Sequence, residues 1–406
     1  MLAASGHLAQ LPAPARVRSL SAAGSDDPRV GVVKTLVVGA GIAGLTLGGL
    51  LCRQERPPVI VERSASPADG YAIGLYPLGS CVLHGLGAYR DLAARSLVLE
   101  RYELSAGSGR VLQSLDMSVL TGAIGPLLMV SRRDLVDVLE ACCALADLRR
   151  GVTVSSLTQH SDGVEAEFSD GTSGCFDAVV ACDGMSSLTR ERVFGPAAGF
   201  DTGWTLWTWW TGGYGFDPRV AREWCGPGWF FGVYPVPGRV MCAAGVPAGM
   251  AGGDDSQPVL RDRLAALAGR NPAVAAALGD LGRAYKWPMS DVRASRWARG
   301  RVVLCGDAAA GFLPAAGIGA SCAMRAAAGL ADELSRADTS TVPPALQRYE
   351  KRCRGVIERN QTESRRLARA MFVTSPLLAR ARDHLAARYP AERALGHIIG
   401  SARKPF

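Results

Sequence analysis

Short apolar runs recur along this chain, and several end abruptly in glycine or an acid. Val32 to Val38 is mostly apolar, which suits a buried parallel strand. Gly39-x-Gly41-x-x-Gly44 follows at once and opens a helix ending near Arg53, before Pro57 and Pro58 break the chain. Val59 to Val61 makes a second strand, with Glu62 at its carboxyl end. Ala178 to Ala181 and the run beginning at Arg301 repeat the pattern, ending at Asp183-Gly184 and at Asp307. Strands alternating with helices predict an α/β fold with a Rossmann-like parallel sheet. Glu62, Asp183 and Asp307 would then line one edge, where such sheets bind ligands.

Other periodicities fill the intervals. Over Ser131 to Ala146, a serine cap precedes Leu135, Val138, Leu139, Cys142 and Leu145 on one helical face. Arg132 and Arg133 stand in its first turn, where cations oppose the helix dipole; a surface pair and an anionic ligand explain them equally well. Asp170-Gly171 marks a hairpin between alternating runs. From Phe200 to Trp287 the pattern is that of sheet, and it interrupts the Rossmann-like part. Alternation puts Thr205, Trp207 and Trp209 on one face and Trp204, Leu206, Thr208 and Trp210 on the other, so both faces are expected to be covered. Phe231 and Tyr234 fall on or near a second strand, and these rings suit a sheet core or a pocket wall. Pro343 to Ala370 and Leu377 to Arg388 read as helices.

Composition narrows the classes. A length of 406 residues, 48% of them hydrophobic, allows two domains or one domain with insertions. Eleven cysteines without a C-x-x-C pair read as reduced thiols used as small core residues in a cytoplasmic protein, with no metal site. The net charge of +8 is carried almost wholly by arginine. Its densest stretch, Arg348 to Arg369, is interleaved with Glu350, Glu358 and Glu363, which describes a solvated helix face and not a nucleic-acid surface. Leu36 to Cys52 carries too many glycines for a membrane span, and no integral membrane segment is expected. Residues 1–33, rich in Ala, Ser, Pro and Arg, read as a disordered leader.

The glycine run has a specific chemistry. Gly39 permits a tight turn, Gly41 lets backbone approach a pyrophosphate, and Gly44 lets the helix pack against the strand. Free amides at the helix start then meet phosphate, and Glu62 can accept hydrogen bonds from a ribose diol. This predicts a bound dinucleotide without specifying which.

Three motifs in order give the chain a family likeness: "GAGIAGL" with Glu62-Arg63, "DAVVACDGMSSLTR", and "RVVLCGDAAAGFLPAAGIGAS". With the weaker "GYAIGLYPLGSCVLHGLG" and "SRRDL", the chain resembles the flavin-dependent aromatic hydroxylases of the p-hydroxybenzoate hydroxylase fold. The resemblance implies FAD held by Gly39, Gly41, Ala43, Gly44, Glu62, Arg63, Arg132, Asp183, Asp307, Pro314, Gly317, Ile318 and Gly319. Asp307 would take the ribityl chain, Pro314 would lie beside the isoalloxazine ring, and the Gly317-Ile318-Gly319 backbone would face its pyrimidine end. It further implies NAD(P)H as transient reductant, O2 as co-substrate, and hydroxylation or epoxidation through a C4a-hydroperoxyflavin. Trp207, Trp209, Phe231 and Tyr234 are the candidate contacts for an apolar aromatic or polycyclic substrate of natural-product type.

Some positions depart from the family pattern. Ala310 stands where histidine is frequent, Ser186 where arginine is, and Arg325-Ala326 where an acidic pair is usual. A flavin halogenase of this fold would carry W-x-W-x-I-P where the chain has "FFGVYP", which disfavours that activity. A reductase of the same fold would not consume O2. The expected division is a discontinuous FAD-binding domain (34–98, 126–195, 288–342), a substrate-binding β-sheet domain (99–125, 196–287) and C-terminal helices (343–406). No catalytic side chain is assigned.

Overall fold

A computed structural model of the chain describes residues 32–67, 69–121, 124–251 and 257–388. The apolar runs form the middle of a six-stranded sheet. Its order is Ala298–Arg299, Val302–Leu304, Ala178–Ala181, Thr35–Val38, Val59–Glu62 and Asp147–Arg150. All neighbours pair in parallel except the short edge strand Ala298–Arg299. The carboxyl ends of the four inner strands therefore share one edge.

Both faces of this sheet are apolar because both are covered. Val37, Val180 and Val303 pack with the helices Ile42–Arg53, Arg132–Ala141 and Gly319–Ser335. Leu36, Val179 and Val302 pack instead against Val164, Phe168 and Phe176 of a three-stranded antiparallel sheet. The Asp170-Gly171 turn joins two of its strands, with Gly171 at φ +83°.

A seven-stranded sheet forms the second layer. Its order is Tyr285–Arg293, Ala198–Thr211, Arg239–Pro247, Trp229–Val236, Val220–Gly226, Arg101–Ala106 and Val111–Asp116. The helices Gln257–Ala268 and Pro272–Gly279 cover one face, where Leu260, Leu264, Val274 and Ala277 meet Trp207, Trp209, Trp224 and Phe231. The other face carries Trp204, Leu206, Phe230, Met241, Ala243 and Met289, and packs against Leu313 and Ala368. The α/β class, the β-sheet layer and the C-terminal helices Val342–Met371 and Pro376–Ala386 are all present.

Several details differ from the sequence reading. The expected boundary after residue 287 falls inside the strand Tyr285–Arg293, and the described residues from Val32 onward cluster as one unit. The helix capped by Ser131 ends at Ala141, so Leu145 lies beyond it and is 69% exposed. The charges of Val342–Met371 are not merely solvated. Arg365 bonds the buried Asp291 at 2.6 Å, and Arg348 bonds Glu333 at 2.8 Å. Of the expected leader, residues 1–31 lie outside the described residues, whereas Val33 is buried in the fold.

Candidate cofactor site and substrate cleft

The glycine loop between Val38 and Ile42 is built by backbone geometry. Gly39 has φ +106°, and a Cβ there would lie 2.5 Å from the Cys182 carbonyl oxygen. A Cβ on Gly44 would lie 1.9 Å from the Gly39 oxygen, so the helix seats directly on the turn. Gly41 differs: a Cβ there meets no protein atom within 4 Å. Gly41 is also the N-cap of the helix; no side chain of the described residues caps it, and its first turn holds no acid. Open space beside uncapped amides fits a phosphate group.

Glu62 closes the loop from the next strand. Its oxygens accept from the amides of Ala40 and Ser64, each at 2.8 Å. Arg63 beside it is exposed, and Ala43 is buried where Gly306 (φ +62°) would bring a Cβ within 2.6 Å of it.

Arg132 and Arg133 have different surroundings. Arg133 bonds Asp137 and the Pro67 carbonyl at the surface. Arg132 lies close enough to Asp307 to lower its pKa, and Gly70 packs on its stem. Burial nonetheless pushes Asp307 up to about 6. A half-buried carboxylate at a strand end, beside a cation, suits the hydroxyls of a sugar alcohol chain.

Asp183 stands at the end of the strand Ala178–Ala181, and its oxygens are engaged within its own turn. It accepts from the Ser187 hydroxyl and from the Thr189 amide, while Ser187 caps the next helix through the Arg190 amide. Arg190 donates to the carbonyls of Ala308 and Met185 and so ties this turn to the Asp307 segment. The Asp183 carboxylate holds the turn, and its neighbour Gly184 (φ +82°) faces open space.

Beyond Asp307 the chain turns through Pro314–Ala316, Gly317 (φ +61°) and the long helix from Gly319. Pro314 and Gly317 are exposed, Ile318 is buried, and no side chain of the described residues caps the helix start. Small residues, an uncapped helix start and an exposed proline make this segment a shelf with few long side chains. Together with Gly41, Glu62, Arg132 and Asp307, these features fit FAD.

The substrate contacts need correction. Trp207, Trp209 and Phe231 point to the helix-covered face, each no more than 3% exposed, and Trp209 Nε1 donates to the Ala277 carbonyl at 2.9 Å. They are core, because the helices Gln257–Ala268 and Pro272–Gly279 seal that face. Tyr234 lies on the opposite face, with Leu313 and Ala315 on one side and Met129 and Tyr76 on the other.

Sequence reasoning missed what surrounds Tyr234. Its hydroxyl donates to Glu223 at 2.5 Å, and Tyr102 donates to the other oxygen of the same carboxylate. Glu223 is 7% exposed. Tyr76, near enough to feel its charge, donates to the Ala316 carbonyl at 3.4 Å. Tyr76, Tyr102 and Tyr234 are half-buried and connect this carboxylate to the shelf. The one local signal was Gly232 before Tyr234: a Cβ there would lie 2.6 Å from the Tyr234 hydroxyl, so glycine lets the ring lie back toward Glu223.

Comparison with known proteins agrees with this geometry. A family model described as an FAD binding domain matches residues 32–364. The chain is 32% identical to a 3-amino-4-hydroxybenzoate 2-monooxygenase of Streptomyces cremeus over 324 residues, 72% of this chain and 76% of the relative. It is 28% identical to the aurachin C monooxygenase/isomerase of Stigmatella aurantiaca, over 78% of this chain and 83% of the relative. Klebsiella pneumoniae HpxO, solved with FAD and uric acid, superposes with a TM-score of 0.81 at 24% identity, covering 91% of this chain and 96% of that one. Sequence match, fold and cradle therefore place the chain in the FAD-binding family of flavoprotein oxygenases, as an FAD-dependent monooxygenase.

Proposed function

We propose that this enzyme uses NAD(P)H and O2 to hydroxylate or epoxidise an apolar aromatic or polycyclic natural-product-type ring. One observation supports the reading: the half-buried Tyr234 packs with Leu313 and Ala315, and Tyr76 bonds the Ala316 carbonyl, in the same segment that begins at Asp307. Relatives named for an aminohydroxybenzoate and for aurachin C support a ring substrate.

Gly39, Gly41, Gly44, Glu62, Arg132 and Asp307 would hold the cofactor; Ile318 and Gly319 would present amides to its ring. Bound FAD supplies acceptance of hydride and activation of O2. The protein's part is to orient the ring and keep water away. Phe230, Leu206, Met241 and Leu313 form the buried apolar layer behind Tyr234. Eleven free thiols agree with a reducing compartment, and the reading places the enzyme in the cytoplasm.

The test uses purified protein, its visible spectrum, and O2 uptake with NADH or NADPH across a panel of aromatic compounds. Flavin bands with substrate-stimulated O2 uptake are expected. A yellow protein that reduces but takes up no O2 with any ring would shift the activity to a reductase.

A further inference from the structure

A buried carboxylate, on the face of the seven-stranded sheet that meets Leu313, is the least expected group in the molecule. Val220–Gly226 and Trp229–Val236 pair so that Glu223 stands opposite Gly232. Strand alternation puts Glu223 on the face of Phe230 and Tyr234, away from the sealing helices. The buried residues packed with its phenol partners are apolar: Leu127, Met129, Leu115 and Ala221 on one side, Phe230 and Met241 on the other. No arginine or lysine bonds it among the described residues; its partners are two phenols.

The donor count is decisive. A tyrosine hydroxyl has one proton, and a carboxylate has none. Tyr102 gives its proton to Oε2 of Glu223, and Tyr234 gives its own to Oε1. Burial and the Glu223 charge hold both phenols well above their ordinary range, so those protons stay in place. Burial raises the pKa of Glu223, and the two phenol hydrogen bonds pull it down. In its carboxylate form the cluster has only lone pairs left to offer, on four oxygens. A group set against this cluster must donate a hydrogen bond. One that cannot would strip water from buried acceptors and leave them unpaired, which costs far more than a lost methyl contact.

We propose that Glu223, held by Tyr102 and Tyr234, is the specificity element of the cleft, and that it selects a ring bearing an O–H or N–H donor and rejects a carboxylate at that end. Glu223 is a recognition residue here, and no bond is made or broken at it. The inference rests on the flavoenzyme reading above, since it takes the cleft beside the shelf as the substrate site.

The test is a binding series on the FAD-loaded enzyme, read by perturbation of the flavin absorbance. The probes are 2-naphthol, 2-methoxynaphthalene and 2-naphthoate, which share one ring system. 2-Naphthol should bind at least about tenfold tighter than its methyl ether, with naphthoate weakest. Glu223→Gln places an N–H in the cluster and should bring the naphthol-to-ether ratio close to one while strengthening naphthoate. Tyr234→Phe keeps the carboxylate and should keep the preference for naphthol. Equal affinities across the wild-type series overturn the proposal whether or not either variant folds, as does an unchanged ratio in Glu223→Gln. A colourless protein that takes up no FAD overturns the flavoenzyme reading instead, and is seen before any probe is added.

Discussion

Gly41 and Gly44 are three positions apart and fail differently as alanine. A Cβ on Gly41 touches no protein atom within 4 Å, whereas one on Gly44 would overlap the Gly39 carbonyl at 1.9 Å. Gly44→Ala should lower the stability of the FAD-free protein by about 1–3 kcal/mol, the usual cost of overpacking. Gly41→Ala should leave the FAD-free melting temperature unchanged and weaken FAD at least about tenfold, since the added methyl stands where a phosphate approaches. Thermal melts of FAD-free protein beside FAD titrations separate the two. A matching drop in melting temperature for Gly41→Ala would contradict its phosphate role. These glycines were legible from sequence because a turn, its helix and the strand beneath it are local in the chain. The partners of Asp183 were not: its oxygens go to Ser187 and Thr189, and an acid before glycine looks the same whether or not it also bonds its own turn.

Strands and helices show where local pattern stops. Alternation along Ala198–Thr211 correctly divides Trp207 and Trp209 from Trp204 and Leu206. It cannot say which face a helix will cover, because the covering helices Gln257–Ala268 and Pro272–Gly279 come later in the chain. Glu223 was illegible for the same reason: one acid in "VAREWCG" reads as a solvent-facing strand position until Tyr102 and Tyr234 arrive from two neighbouring strands. Trp209→Phe tests the corrected assignment. It removes the bond to the Ala277 carbonyl and some volume, and should cost about 1–3 kcal/mol. Ligand affinity should stay unchanged; a shift in affinity without loss of stability would return Trp209 to the cleft. The helix Val342–Met371 is held by a different device. Arg365 bonds both oxygens of Asp291, whose side chain is 0% exposed. Arg365→Met leaves that carboxylate with the Phe200 amide as its one hydrogen bond among the described residues, with Arg293 nearby, and should cost about 3–5 kcal/mol in chemical denaturation. A loss below about 1 kcal/mol would mean the pair acts as an ordinary surface bridge.

Across the whole molecule, the run from Asp307 to the helix Gly319–Ser335 links the two large sheets: it follows the strand Val302–Leu304, and its Gly311 and Ala310 bridge to Val292 and Arg293 of the seven-stranded sheet. Its acid is a cost to the FAD-free fold. Burial raises the pKa of Asp307 from 3.8 to about 6, against the pull of Arg132. The sign follows from proton counts. Between these values the folded state binds more protons at this group than the unfolded state does, so the group's contribution to stability falls as pH rises through the window and is level above it. Asp307→Asn removes that term. Without FAD, the variant should match wild type near pH 4 and gain on it as pH rises to 7, and the difference between the two melting curves isolates this group from all others. With FAD the order should reverse. The carboxylate is the stronger acceptor for hydroxyl donors, so added FAD should raise the wild-type melting temperature more than that of the variant. A difference between the two proteins that does not change with pH would place Asp307 in solvent and remove it from the cradle. A pH-dependent difference that FAD fails to reverse would leave Asp307 buried but idle toward the cofactor.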